Sequence, residues 1–316
     1  MCYSAQLKEE WRTFLRHGGR ISLQDFADLY GARIVASIKI PKALDAWFKG
    51  IDDPQADLIR SRITDYNKSR AELWEQELFK QKKRLADAER TLQTKTTKGA
   101  LENKRIAGDK VSKLMRDLSD LRRTEFKPRD ARFFPGNYAP VMIWEDGQRV
   151  IKPMRYQCRL PGWNAFVEKK YPGTYNARRD KLVESWGKLW RVRHGVMVVN
   201  AFYENVERHK MEHRELQDGE LSENVVLEFR PRPEQDMVIA CLWNESPEGD
   251  GSLLSFAAVT DEPAPEVAAA GHDRTIIQIK PEHIDDWLQP QARTEAELQA
   301  ILDDRPEAYY EHRLAA

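Results

Sequence analysis

The most regular pattern of apolar positions along the chain lies between residues 49 and 130. In its first half, apolar side chains recur in steps of three and four residues, at Ala71, Trp74, Leu78, Leu85, Ala88 and Leu92. The polar Gln81 occupies one expected core position. Poor helix formers at residues 94–99 interrupt the pattern, which resumes at Ala107, Val111, Leu114, Leu118 and Leu121. Such spacing is typical of a heptad seam, so we predict an antiparallel helical hairpin.

The segments on either side of the hairpin differ from it. Residues 5–48 carry apolar side chains at helical spacing and predict short helices. After Phe133, short apolar runs predict strands at residues 196–199, 237–243, 253–259 and 275–279, followed by helices at 281–288 and 294–303. We therefore divide the chain into an N-terminal part of the core (1–48), a hairpin insertion (49–130), the main core (131–305) and a peripheral tail (306–316).

Composition narrows the class of protein. Of the 316 residues, 41% are hydrophobic and 32% are charged, which fits a globular core with much solvated surface. No apolar run is long enough to span a bilayer and no signal-peptide pattern opens the chain, so we expect a cytoplasmic protein without membrane contact. The cysteines Cys2, Cys158 and Cys241 form no CxxC pair. Neither a metal site, a cofactor nor a disulfide framework is therefore predicted.

Charge is balanced over the whole chain but not along it. There are 51 basic and 51 acidic residues, yet residues 60–130 contain 20 Lys and Arg against 12 Asp and Glu. Basic residues on the outer faces of a heptad repeat are ordinarily a solvated surface. Contact of the hairpin with DNA or with a protein partner is the alternative interpretation.

The start of the chain is the first candidate for chemistry. Met1 is followed by the small side chain of Cys2, a favourable context for removal of the initiator. Removal leaves an α-amine with a pKa of about 7.7 to 8.0 and, on the same residue, a thiol with a pKa of about 8.5. Near neutral pH such a pair attacks an aldehyde twice, forming an imine and then a thiazolidine ring. An internal cysteine cannot do this.

Six later motifs follow this cysteine in order. They are Asn137-Tyr138-Ala139-Pro140, Pro161-Gly162-Trp163, Asn176-Ala177-Arg178, Phe202-Tyr203-Glu204, Val259-Thr260-Asp261-Glu262 and His272-Asp273-Arg274. Together with Met1-Cys2 they resemble the SRAP family, the SOS response-associated peptidases or abasic-site processing proteins. The chain departs from the family pattern at Tyr3-Ser4, at Arg179-Asp180-Lys181, at Asn205 and at Thr275-Ile276.

The resemblance implies an α+β fold in which a curved, barrel-like β-sheet surrounds a cleft, here with the hairpin inserted. It implies that Cys2 forms a covalent crosslink with the aldehyde of an abasic site in single-stranded DNA, with accessory autopeptidase and lyase-like activity. It also assigns acid/base work to Glu204, a second proton relay to His272 and positioning to Asn176. The expected DNA contacts are Arg178, Asn176, Trp163, Tyr203, Pro140 and Arg274.

Two other functions remain open at this point. Cys2 is also suited to a cysteine peptidase that acts mainly on its own leader. A noncatalytic coiled-coil binding protein is the third interpretation, because Ser4 and Asn205 depart from the family pattern.

Overall fold

The computed structural model describes residues 4–7, 12–249 and 251–315. The strands in these ranges are β1 (Ser4–Leu7), β2 (Arg20–Ile21), β3 (Arg132–Phe133), β4 (Tyr138–Glu145), β5 (Gln148–Tyr156), β6 (Asn176–Arg178), β7 (His194–Glu207), β8 (Asn224–Arg232), β9 (Met237–Glu248), β10 (Gly251–Asp261), β11 (Thr275–Ile276) and β12 (Tyr309–Leu314). They belong to one sheet.

The α-helices in the same ranges are α1 (Arg12–Arg16), α2 (Leu23–Val35), α3 (Lys42–Asp45), α4 (Pro54–Thr94), α5 (Lys98–Arg122), α6 (Ala165–Lys170), α7 (Arg208–Met211), α8 (Pro265–Ala269), α9 (Ile284–Leu288) and α10 (Glu295–Asp303). Short 3-10 helices span Pro128–Ala131, Arg179–Lys181, Pro281–His283 and Pro290–Ala292. The two helices predicted near the C-terminus are thus confirmed.

Five strands of the sheet close into a barrel. The ring runs β4–β5–β10–β9–β7 and returns to β4 through the pairing of Met142 with Val196. Pairing is antiparallel except between β5 and β10, which run parallel. The predicted α+β fold with a curved sheet is therefore confirmed.

Strand β7 belongs both to the barrel and to the sheet beyond it. Its first half, from His194 to Val199, pairs with β9 in the ring. Its second half pairs with β8 on one side and with β1 on the other. Because the strand is covered on both faces, nearly every side chain from His194 to Tyr203 is buried. This burial explains the continuous apolar run in the sequence.

The predicted hairpin is confirmed, and every predicted seam position is buried or half-buried. Lys104 Nζ lies 3.7 Å from Glu89 Oε1, and Arg122 forms an ion pair with Glu75, as an antiparallel pair of helices requires. The break is shorter than predicted, because the Thr97 side chain accepts a hydrogen bond from the Ala100 amide and caps α5. At its other end the hairpin docks on α2, where Arg62 donates to the Ala27 carbonyl oxygen.

The C-terminal residues, predicted as a peripheral tail, include an edge strand of the sheet. Residues Tyr309–Leu314 form β12, which pairs antiparallel with β8 over six residues. Tyr310 is buried, and its hydroxyl accepts a hydrogen bond from Gln278 Nε2 at 2.6 Å. Most other side chains of β12 are exposed, which is why its sequence carries no apolar run.

Candidate active site

A buried carboxylate and an imidazole lie close together at the second half of β7, where this strand has left the barrel. Glu204 lies in the second half of β7, is fully buried and pairs in register with Leu227 of β8. His272 follows α8 through a turn at Gly271, whose φ of +90° suits a residue without a Cβ. His272 Nε2 lies 3.3 Å from Glu204 Oε2. A single proton can therefore pass between these two groups.

Backbone groups bind the other ring nitrogen of His272. Its Nδ1 lies 3.0 Å from the Arg274 carbonyl oxygen and 3.3 Å from the Arg274 amide nitrogen. Either tautomer of the neutral ring thus finds a partner at Nδ1. Burial lowers the pKa of His272 below its ordinary value, so the imidazole is neutral at physiological pH. A neutral imidazole can accept or donate a proton at Nε2 in a reversible step.

Asn176 and Arg178 reach the same region through β10. Strand β6 pairs with the end of β10, where Arg178 is the register partner of Thr260, and β11 pairs with that same residue through Ile276. The Asp180 carboxylate, bound to Arg178 at 2.7 Å, raises the pKa of this guanidinium, and the charge of Asp273 beside His272 adds to the effect. The side chain of Arg178 therefore lies near the loop that carries His272.

Two polar side chains in this region are buried. Asn176 is 7% exposed, and within the described ranges neither its amide oxygen nor its amide nitrogen has a hydrogen-bond partner. The same holds for the hydroxyl of Thr260, which is fully buried. A buried amide without partners costs free energy, so its retention indicates that a ligand or water satisfies it. Thr260 lies in the motif Val259-Thr260-Asp261-Glu262, from which the sequence predicts no role for the hydroxyl.

Comparison with known proteins identifies the family of this chain. The family model described as SOS response associated peptidase (SRAP) matches residues 93–314. The chain belongs to the SRAP family. The match includes Asn176, Glu204 and His272, whereas the N-terminal cysteine and α4 up to residue 92 lie outside it. No curated protein matches the sequence.

Several solved structures are similar to this SRAP protein. A protein from Bordetella bronchiseptica is 18% identical over 61% of this chain and 90% of its own, with a TM-score of 0.48. A protein from Bacteroides thetaiotaomicron is 12% identical over 59% and 78%, with a TM-score of 0.46. A phage-related protein from Bordetella bronchiseptica is 17% identical over 61% and 84%, with a TM-score of 0.44.

The N-terminal end of this site is described from Ser4 onwards. Ser4 pairs in register with Tyr203, and its hydroxyl accepts a hydrogen bond from Arg132 Nε at 2.9 Å. The predicted nucleophile Cys2 lies outside the described residues. Arg132, which the motifs did not single out, anchors both the start of β1 and the ring of Tyr203, since its guanidinium carbon lies 3.9 Å from the ring centre.

Three predicted DNA contacts occupy other environments. Tyr203 is 4% exposed, and its hydroxyl donates to Gln6 Oε1 at 2.6 Å. Burial raises the pKa of Tyr203 to about 12. Because Arg132 covers its ring, stacking on a base would require Arg132 to move. Pro140 is buried in β4 opposite Pro153. The sixth predicted contact, Arg274, is also mostly buried and lies 3.8 Å from the Asp273 carboxylate.

Trp163 borders a cavity of about 680 Å³. Its ring packs 5.2 Å from that of Tyr171, and Lys188 and Arg193 also line the cavity. Arg193 directly precedes His194, so this cavity lies at the opposite end of β7 from Glu204. The structure therefore does not bring Trp163 to the Glu204–His272 pair.

Two other kinds of feature are absent from the described residues. No cluster of three His, Cys, Asp or Glu side chains in these ranges could hold a metal ion. Within the same ranges, none of the helices combines the length and the apolar character that crossing a bilayer requires. Cys158 and Cys241 are fully buried, and burial raises the pKa of the Cys158 thiol to about 12, so neither is a thiolate at neutral pH.

Proposed function

We propose that this SRAP protein forms a covalent crosslink with abasic sites in single-stranded DNA through Cys2 after loss of Met1. The observation that carries the proposal is the buried Glu204 carboxylate 3.3 Å from the neutral His272 imidazole. Proton-transfer groups held together and away from bulk water are what the opening and condensation of a sugar aldehyde require.

The connectivity of the chain is compatible with a Cys2 nucleophile at this pair. Ser4 is the register partner of Tyr203, the residue immediately before Glu204. Two residues of extended chain span at most about 7 Å, so Cys2 is tethered within that distance of Ser4.

The proposed reaction has three steps. Glu204 removes the proton of the C1 hydroxyl of the cyclic abasic sugar, and the ring oxygen is protonated as the ring opens to the aldehyde. The α-amine of Cys2 then adds to the aldehyde carbon, and loss of one water molecule gives an imine. Finally the thiol sulfur of Cys2 adds to the imine carbon while the nitrogen receives the thiol proton, which closes the thiazolidine. His272 relays protons for the condensation and its reversal.

The proposed DNA contacts follow from charge and burial. Arg178 has a side chain that is 42% exposed and exchanges Asp180 for a phosphate oxygen when DNA binds. Its forked guanidinium suits that contact. Asn176 offers a buried amide that can hold the Cys2 amine or a sugar oxygen without competing for protons.

A denaturing gel with a single-stranded oligonucleotide carrying one abasic site tests this function. We expect a shifted, denaturant-resistant band with the wild type and none with Cys2→Ala. Glu204→Gln keeps the shape of the side chain but loses the base, so the rate of crosslinking should fall by a factor of about 100 to 10,000. Glu207→Gln, three residues further along β7, is the matched control and should crosslink at the wild-type rate. If Cys2→Ala gave a crosslinked band as intense as that of the wild type, the proposal would be refuted.

The family description favours one second candidate, a peptidase. In that case Cys2 attacks a carbonyl group and the same Glu204–His272 pair protonates the leaving amine. Intact-mass measurement shows removal of Met1 under both functions, whereas sustained cleavage of added peptides is expected only of a peptidase. DNA binding without either reaction would instead favour a noncatalytic binding protein.

A further inference from the structure

The positive charge of the hairpin is concentrated at its distal end. Residues 80–105, which contain the turn between α4 and α5, have nine Lys and Arg against three Asp and Glu. The remainder of the two helices, residues 54–79 and 106–122, has eight of each. We call residues 80–105 the basic tip. The excess of six positive charges on the hairpin therefore lies entirely in the part most distant from the core.

Ion pairs within the hairpin leave much of this charge uncompensated. The three acidic residues of the basic tip already have basic partners there, since Asp87 pairs with Arg90, Glu89 with Lys104 and Glu102 with Arg105. Four exposed lysines of the basic tip have no acidic group within 4 Å among the described residues: Lys82, Lys83, Lys95 and Lys98. These four ammonium groups are available to an external anion.

A depression between the two helices adds a shaped surface to this charge. It has a volume of about 520 Å³ and is lined by Lys80, Lys83, Arg84, Thr97 and Asn103, among others. Arg84 Nε donates to Asn103 Oδ1 at 3.0 Å, which holds the guanidinium across the two helices. Basic side chains beside hydroxyl and amide groups are the combination that contacts phosphate oxygens in nucleic acids.

We propose that the basic tip binds the phosphate backbone of double-stranded DNA. Residues 80–105 contain no Phe, Tyr or Trp, and Phe79 is a single exposed ring directly before them. One ring does not form the series of platforms on which successive unpaired bases stack. Binding through phosphates alone needs no aromatic residue and suits a duplex, whose two strands present a dense and regular array of charge. The contact is independent of base sequence and of the chemistry proposed for Cys2.

The length of the hairpin makes this a second, remote contact. The 41 residues of α4 span about 60 Å at 1.5 Å per residue, so the basic tip lies far from the point where the hairpin leaves the core. A protein that reacts with a lesion in single-stranded DNA can thereby hold an adjoining duplex as well.

The experiment measures binding of the full-length protein to a duplex of about 30 base pairs and to one of its strands, neither with an abasic site, over a series of salt concentrations. The test variant replaces Lys82, Lys83, Lys95 and Lys98 by Ala. The control replaces by Ala three exposed basic residues of the hairpin that lie nearer the core: Lys68, Arg70 and Arg122. Both variants keep the helix-favouring composition, and circular dichroism verifies that each is folded.

We expect the tip variant to lose at least about tenfold in duplex affinity, with a slope of log K against log salt that is shallower by about 2 to 4. The control should match the wild type, and single-strand binding and crosslinking of a short abasic oligonucleotide should be unchanged. Three results would overturn the proposal: no duplex binding by the wild type, equal loss in both variants, or equal loss for duplex and single strand. Failure of crosslinking alone would count against the Cys2 chemistry and not against the basic tip.

Discussion

Protonation of one buried histidine should make this fold sensitive to acid. His194 begins β7 and is 1% exposed, with its ring centre 3.9 Å from that of Trp287. Its Nδ1 lies 3.1 Å from the Trp287 carbonyl oxygen, and its Nε2 accepts a hydrogen bond from the Arg191 amide at 3.3 Å. Only the neutral tautomer with the proton on Nδ1 satisfies both contacts. Burial lowers the pKa of His194 to about 3.

The size of the effect follows from proton linkage. An unfolded histidine has a pKa of about 6.5, so between the two pKa values the unfolded state binds the additional proton. The stability contributed by the neutral ring is therefore fully present above about pH 6.5 and is lost as the pH falls toward the folded pKa. Between pH 7 and pH 5 the loss is about 2 kcal/mol. This figure changes little for any folded pKa below about 4, because the folded ring is then neutral throughout that range.

Urea unfolding of the wild type and of His194→Gln at pH 7, 6 and 5 measures this contribution. Glutamine retains a donor and an acceptor but does not titrate. The variant should be the less stable protein at pH 7, and the difference should shrink by about 2 kcal/mol at pH 5. His17 and His272, whose pKa values burial also lowers, are common to both proteins and cancel. If the free energy of unfolding of the two proteins changed equally between pH 7 and pH 5, His194 would not be buried in the neutral form.

Three further substitutions, one of them a control, test the site and the hairpin. Gly271→Ala places a Cβ 2.9 Å from Lys210 Cβ at a φ of +90°, so we expect a loss of about 2 to 3 kcal/mol in urea unfolding and slower crosslinking as His272 shifts. Gly219→Ala is the control for backbone strain alone, because Gly219 has a φ of +80° but an added Cβ there meets no other atom within 4 Å. It should lower the free energy of unfolding by about 1 kcal/mol and leave crosslinking unchanged. Gln81→Leu replaces a buried amide oxygen that has no hydrogen-bond partner in the described structure and should stabilise the hairpin by about 1 to 2 kcal/mol. Slower amide hydrogen exchange in α4 and α5 would verify this gain. Faster exchange would contradict the placement of residue 81 in the apolar contact between the two helices.

The hairpin was predictable because the apolar pattern that specifies it repeats over neighbouring residues of each helix. Each helix buries one stripe against the other, so the steps of three and four identify the contact surface without reference to the rest of the chain. The barrel was predictable only as a set of apolar runs. Its closure depends on the pairing of β4 with β7 and of β10 with both β5 and β9, and these contacts join residues distant in sequence. Strand β12 left no signal, since an edge strand with one buried tyrosine has no apolar run.

The candidate site was predictable as residue types and not as geometry. Motif order identified Glu204 and His272, but nothing local in the sequence indicates that the carboxylate is fully buried or that the two groups are 3.3 Å apart. Both facts arise from long-range contacts, since β8 and β1 pair with the two edges of β7 and the pairing of β11 with β10 holds the loop that carries His272. For the same reason the sequence did not indicate that Arg132 covers the ring of Tyr203.

The alternation of side chains along β7 links these observations. Neighbouring residues of a strand point to opposite faces, so the face on which Tyr203 meets Gln6 leaves Glu204 on the face of His272. A slip of β7 by one residue against its partner strands β1 and β8 would exchange the two faces and bring the phenol toward the imidazole. The hydrogen bonds from Tyr203 to Gln6 and from Arg132 to the Ser4 hydroxyl oppose that shift. Residues that contact no substrate thus determine which side chain of β7 is presented for proton transfer.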